Sequence, residues 1–61
     1  MGYREARELA RIRTELRDRL MTRKYDGAPR ILSRFGEIAD GDDELRGEVE
    51  RWRMRFRLIA A

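Results

Sequence analysis

Cysteine and histidine are both absent from this sequence, and Lys24 and Pro29 are its only lysine and proline. Without cysteine the chain cannot form disulfide bonds or thiolate metal sites. Without histidine it lacks the commonest transition-metal ligand and the usual acid–base group near neutral pH. A glycine-rich loop of the kind that binds phosphate is missing as well. We therefore expect no metal site, no cofactor and no catalytic residues, and we predict that the protein is not an enzyme.

Long apolar runs are also missing, since no stretch approaches the ~18 residues that a membrane-spanning helix requires. The first five residues already carry charges, at Arg4 and Glu5, and lack the apolar region of a signal peptide. We therefore expect a cytoplasmic protein. Trp52 and Phe56 between arginines would also suit a helix that lies on a membrane surface. A chain this small needs those aromatic rings for its core, so we favour no membrane contact.

Charged residues of both signs are abundant, at 44% of the 61 residues, and the net charge is +3. The chain is long enough for one domain, covering residues 1–61. A domain of this size buries only roughly 60% of the surface that its unfolded chain exposes. Small folds without disulfides or metals gain their stability from close helix packing or from oligomerisation. The composition therefore favours a homo-oligomer.

Apolar residues recur at steps of three and four, which is typical of amphipathic helices. The spacing predicts helices over about residues 3–25, 29–39 and 43–59. Gly27 suits the left-handed position that ends a helix, Pro29 suits a first turn, and Asp42 suits an N-cap. We expect an all-α fold, either a three-helix unit or a helical hairpin with a short cross-helix.

The third predicted helix carries an apolar seam with steps of four and three, at Leu45, Val49, Trp52, Phe56 and Ile59. Such a seam packs against another helix. We interpret it as core, shared with Leu16, Leu20 and Phe35, rather than as a binding site.

A second apolar stripe, at Gly47, Met54, Leu58 and Ala61, lies on the opposite side of this helix, within roughly a 60° sector. An exposed apolar face on a small protein suggests a protein contact, although scattered surface residues would give the same pattern. Glycine costs about 1 kcal/mol relative to alanine inside a helix, which close approach of another backbone would justify. We predict a partner-binding site at Gly47, Met54 and Leu58, with Arg53 and Arg57 at its rim.

Five arginines of the third helix are candidate contacts for an acidic partner or for nucleic acid: Arg46, Arg51, Arg53, Arg55 and Arg57. If the first and third helices were antiparallel, Glu5, Glu8, Glu15 or Asp18 could pair with some of them; otherwise these arginines face an acidic partner or phosphate. The letters WRMRF at 52–56 resemble the end of the recognition helix in some transposase-type helix-turn-helix domains. The start of a recognition helix reads bases, whereas this helix starts with acidic residues that repel phosphate. We therefore rank nucleic-acid binding second to a protein–protein interaction or oligomerisation module with a regulatory or accessory role.

Arg13 interrupts the apolar face of the first predicted helix. Two interpretations remain open. The side chain either extends along the edge of the core towards solvent, or forms a buried ion pair with a carboxylate of a neighbouring helix or of a second copy.

Overall fold

A computed structural model describes the backbone of residues 2–60 and the side chains of residues 2–58. The chain forms three helices, α1 at Tyr3–Thr22, α2 at Ala28–Ile38 and α3 at Asp43–Ala60. The described residues contain no strand. The all-α prediction is therefore confirmed, and the three-helix unit is the arrangement adopted. Two predicted residues fall outside the description, namely the side chain of Ile59 in the apolar seam and all of Ala61 in the second stripe.

Helix α1 ends at Thr22, three residues before its predicted end, and the assignment of Gly27 as its C-cap is wrong. Arg23 takes the left-handed conformation instead, with φ 59°, and the Lys24 N–H donates to the carbonyl of Arg19 at 3.1 Å. A non-glycine residue pays about 1 kcal/mol for this conformation. Gly27, with φ 80°, directly precedes α2. Gly27 takes its left-handed conformation at the start of α2, so the left-handed residue at the end of α1 is Arg23, which is less suited to that conformation than glycine.

The linker between α1 and α2 is held by Arg19. Its guanidinium donates hydrogen bonds to the backbone carbonyls of Lys24 and Asp26. Pro29 lies in the first turn of α2, as predicted, where a missing N–H costs nothing. The short linker is thereby fixed by α1 itself, which positions α2 against it.

Asp42 is the N-cap of α3, as the sequence predicts. Its Oδ1 accepts a hydrogen bond from the Leu45 N–H at 3.1 Å, which satisfies one of the unpaired donors of the first turn. Asp43 and Glu44 follow in that turn, where the negative charge of a carboxylate interacts favourably with the positive end of the helix dipole. The start of α3 is thus determined by local chemistry alone.

The core lies where α2 packs between α1 and α3. Its buried apolar side chains come from all three helices: Leu9, Ile12, Leu16, Ala28, Leu32, Phe35, Ala39, Leu45, Val49 and Phe56. Leu20 and Trp52 are partly buried against this cluster. The interpretation of the α3 seam as core is therefore confirmed for every member that the structure describes.

Helices α1 and α3 run in the same sense. Arg13 contacts Glu48, and Tyr25, just beyond α1, packs edge-on against Phe56 with ring centroids 6.0 Å apart. Residue numbers therefore increase together along both helices. None of the helices, over the part of the chain that is described, is both long and apolar enough to cross a membrane.

Candidate protein-interaction surface

The side of α3 that faces away from the core carries Gly47, Met54 and Leu58, which we call the outer face. Met54 is 58% exposed and Leu58 is 75% exposed. Large apolar side chains with this much exposure are few among the described residues, the others being Tyr3 and Met21 on α1. Met54 and Leu58 therefore form a solvent-facing apolar patch, and Gly47, on the same side of α3, is half-buried. Residue spacing alone located it, because a helix presents positions four and seven apart on one side.

Gly47 does not meet another backbone within the described chain. A Cβ atom placed on it would lie 3.5 Å from Nη1 of Arg51, which is ordinary van der Waals contact. No atom of α1 or α2 among the described residues would be within 4 Å of that Cβ. The intramolecular packing therefore gives no reason for glycine in the interior of α3, where it costs about 1 kcal/mol relative to alanine.

The arginines of α3 divide into two groups. Arg46 pairs with Asp43 and Arg53 pairs with Glu50, each at 2.8 Å and three residues apart on the same helix. Arg55 lies over the ring of Trp52, with its Cζ 5.0 Å from the ring centroid. Arg51, Arg55 and Arg57 form no ion pair with the side chains of residues 2–58. These three guanidinium groups are therefore available to an acidic partner or to phosphate.

The pairing of these arginines with Glu5, Glu8, Glu15 or Asp18 does not occur among the described side chains. It required α1 and α3 to be antiparallel, whereas the two helices run in the same sense. The carboxylate of Glu8 binds Arg34 of α2 instead, through Nε at 2.6 Å and Nη2 at 2.8 Å. This hydrogen-bonded guanidinium lowers the pKa of Glu8. Sequence reasoning missed Arg34, because it lies 26 residues from its partner and no local pattern relates the two.

Arg13 forms an ion pair with a neighbouring helix, but the pair is not buried, so that part of the interpretation is wrong. Its Nε and Nη2 atoms donate to the two carboxylate oxygens of Glu48, each at 2.8 Å. The Arg13 side chain is 45% exposed and that of Glu48 is 21% exposed. Trp52 Nε1 also donates to Glu48, at 3.3 Å. The pair lies at the edge of the core, where Arg13 reaches solvent while it ties α1 to α3.

We expect Glu48→Gln to lower the free energy of unfolding at neutral pH by about 1 kcal/mol, towards the upper end for exposed pairs because the contact is bidentate. The hydrogen bonds from Arg13 lower the pKa of Glu48 below its ordinary 4.5. An unfolded chain therefore takes up a proton more readily than the folded one as pH falls through and below 4.5, and the stabilisation is lost there. Urea unfolding at neutral and acidic pH should show the variant and the wild type converging in acid. A constant difference would contradict this origin.

A groove of about 790 Å³ runs between α2 and α3. Its lining is mixed in charge: Ser33, Gly36, Glu37, Asp40, Arg46, Val49, Glu50 and Arg53. Arg46 and Arg53 are already paired there with acidic residues of α3. Within the described residues no group of three or more Asp or Glu side chains is arranged to hold a metal ion. The charged and hydroxyl side chains of the groove can form hydrogen bonds.

No protein-family model, curated protein or solved structure matches this chain. Function must therefore be inferred from the surface of the molecule. The feature with the least intramolecular explanation is the outer face of α3, with its two exposed apolar side chains, its unexplained glycine and its adjacent arginines.

Proposed function

We propose that this chain is a non-enzymatic helical module that binds protein through the outer face of α3. The exposure of Met54 and Leu58 carries the proposal, because both side chains lie one helical turn apart on the same side of one helix. Burying an apolar side chain of this size on association gives roughly 1.5–3 kcal/mol. Arg53 and Arg57, at the rim, would confer orientation on the contact. A module of this kind acts as an oligomerisation unit or as an accessory subunit of a larger assembly.

We expect the double substitution Met54→Asp with Leu58→Asp to abolish assembly while leaving helical content largely intact. The two carboxylates would have to be buried unpaired in the contact, which costs several kcal/mol. Neither side chain contributes to the core, so circular dichroism should change little. Sedimentation of the purified protein measures self-assembly, and retention of cellular protein on the immobilised chain measures other partners.

Tyr3→Asp with Met21→Asp is the matched control, since both residues are large, apolar and exposed on α1. This control should assemble and retain protein as the wild type does. If the α3 variant behaves like the wild type in both measurements, the outer face is not the binding surface. Equal losses in the two double variants would indicate a general effect of added charge instead.

Nucleic-acid binding is the second candidate, supported by the three guanidinium groups of Arg51, Arg55 and Arg57 that pair with no described carboxylate. Guanidinium binds phosphate bidentately. The acidic first turn of α3, with Asp43 and Glu44, opposes insertion of that end into a groove of DNA. A contact through the arginines alone would be dominated by the phosphate backbone and independent of sequence.

If this second candidate is correct, the affinity for duplex DNA should fall steeply between low and physiological salt, as measured by mobility shift. Replacing Arg51, Arg55 and Arg57 by alanine should reduce the salt slope by about three, one for each lost phosphate contact. Arg46→Ala serves as the control, because Asp43 already occupies that side chain. Absence of a shift even at low salt would remove this candidate.

A further inference from the structure

The charges of α3 are divided along its length. Its first half, residues 43–50, contains four carboxylates and one arginine, and residues 51–58 contain four arginines and no acid. Within the chain Arg46 and Arg53 are paired locally, and Glu48 is paired with Arg13 of α1. The α3 surface nevertheless changes from acidic to basic along the helix. A helix with this charge distribution is complementary to a copy of itself that runs in the opposite direction.

The outer face also has the spacing of a helix-pairing seam. Gly47, Arg51, Met54 and Leu58 are separated by steps of four, three and four residues, which is the spacing by which two helices pack along one line. The Arg51 side chain lies over Gly47, and its long aliphatic part can move aside. Without a Cβ atom, Gly47 offers a recess at one end of this seam, and Leu58 offers a projecting side chain at the other.

We propose that the outer face of α3 binds α3 of a second copy of this chain in an antiparallel arrangement. The proposal rests on the interaction function proposed above and specifies its partner. The register that places Leu58 of each copy on Gly47 of the other also brings Met54 against Arg51. Glu50 of each copy then lies beside Arg57 of the other. Because the pair has two-fold symmetry, each of these contacts occurs twice.

Other occupants explain the surface less well. A parallel pairing of two copies in register would set Arg51 against Arg51 and Gly47 against Gly47 along the seam, so that like charges meet and the recess is left unfilled. Phosphate would gain nothing from Met54 and Leu58, and it would be repelled by Glu50 beside them. The antiparallel copy uses the apolar stripe, both signs of charge and the recess at Gly47 together.

Because the chain has no cysteine, engineered cysteines are unique and report the register directly. Gly47→Cys and Leu58→Cys proteins, mixed under mild oxidation, should yield a disulfide-linked pair that contains one chain of each. A disulfide requires Cα atoms within about 7 Å, so each variant alone should remain largely uncrosslinked. Met21→Cys mixed with Leu58→Cys is the control and should crosslink no more than by random collision.

Charge reversal gives a second test that leaves Gly47 unchanged. Glu50→Arg alone and Arg57→Glu alone should each weaken self-association about tenfold in sedimentation, because attraction becomes repulsion at two symmetric positions. An equimolar mixture of the two variants should recover the wild-type affinity, since each arginine then faces a glutamate. Circular dichroism of each variant checks that the helices are retained.

Three results would overturn the antiparallel pairing. They are crosslinking of either cysteine variant with itself at the expense of the mixed product, failure of the charge-reversed mixture to recover, and a wild-type protein that stays monomeric up to millimolar concentration. The interaction function is judged separately, by the loss of retained cellular protein in the Met54→Asp, Leu58→Asp variant. If the chain is monomeric but still retains protein through the outer face, the proposed pairing with a second copy is wrong and the proposed interaction function stands.

Discussion

Phe35→Ala should lower the free energy of unfolding by about 3–5 kcal/mol. The Phe35 side chain is fully buried at 0% exposure, in the helix that packs against both others. Removal of a buried phenylalanine ring costs about 3–5 kcal/mol, because the lost transfer free energy is joined by the cost of the cavity. A domain of 61 residues has a total stability of only about 3–9 kcal/mol. The substitution therefore removes a large part of it.

The measurement is urea unfolding followed by the helical signal and by the fluorescence of Trp52, at one protein concentration throughout. Met21→Ala is the control, since Met21 is 76% exposed and surface changes usually stay within about 0.5 kcal/mol. If Phe35→Ala unfolds at the same urea concentration as the wild type, α2 is not packed between α1 and α3. That result would also remove the basis for calling one side of α3 its outer face.

Leu16→Ala should destabilise the protein by about 3 kcal/mol or more, and Leu20→Ala by about half as much. The two leucines lie one turn apart on the same face of α1 and carry equal weight in the sequence pattern. Leu16 is fully buried, whereas Leu20 only packs at the edge of the core. The cost of truncation follows the buried area and the cavity that is left, so the structure predicts unequal effects where the periodicity predicts equal ones.

Each variant is the control for the other, because the same atoms are removed from the same helix. Differences in helix propensity cancel, and the difference in unfolding free energy reports burial alone. Equal losses of unfolding free energy in the two variants would contradict the structure, because the C-terminal end of α1 would then be packed as tightly as its middle. That result would support an additional cover over Leu20, such as a second copy.

Local chemistry accounts for the parts of the fold that the sequence predicts well. The apolar periodicity of each segment determines which side of its helix is buried, and the side chain of Asp42 determines where α3 begins. The α3 seam is core because Trp52 and Phe56 are too large to remain exposed in so small a protein. The position of the outer face follows from the same helical periodicity, since residues on the side of the helix opposite a buried seam face away from the core.

Contacts between distant residues could not be obtained this way. Arg13 is recognisable in the sequence as an interruption of an apolar face, but its partner Glu48 lies 35 residues away and belongs to α3. Arg34 has a local partner in Glu37, three residues away, but it binds Glu8 only because α2 folds back along α1. These pairings depend on how the helices are arranged, and many arrangements bury the same apolar stripes.

The sequence by itself thus determined three helices, their buried sides and the cap of α3, because neighbouring residues decide those features through spacing and hydrogen bonding. Only the tertiary structure decided that α1 and α3 run in the same sense. That one fact separates the α3 arginines from Glu5 and Glu8. Only the structure, too, showed that Arg23 takes the left-handed conformation at the end of α1 and that Gly27 directly precedes α2. Both outcomes depend on where the chain must go next, which a short stretch of residues does not contain.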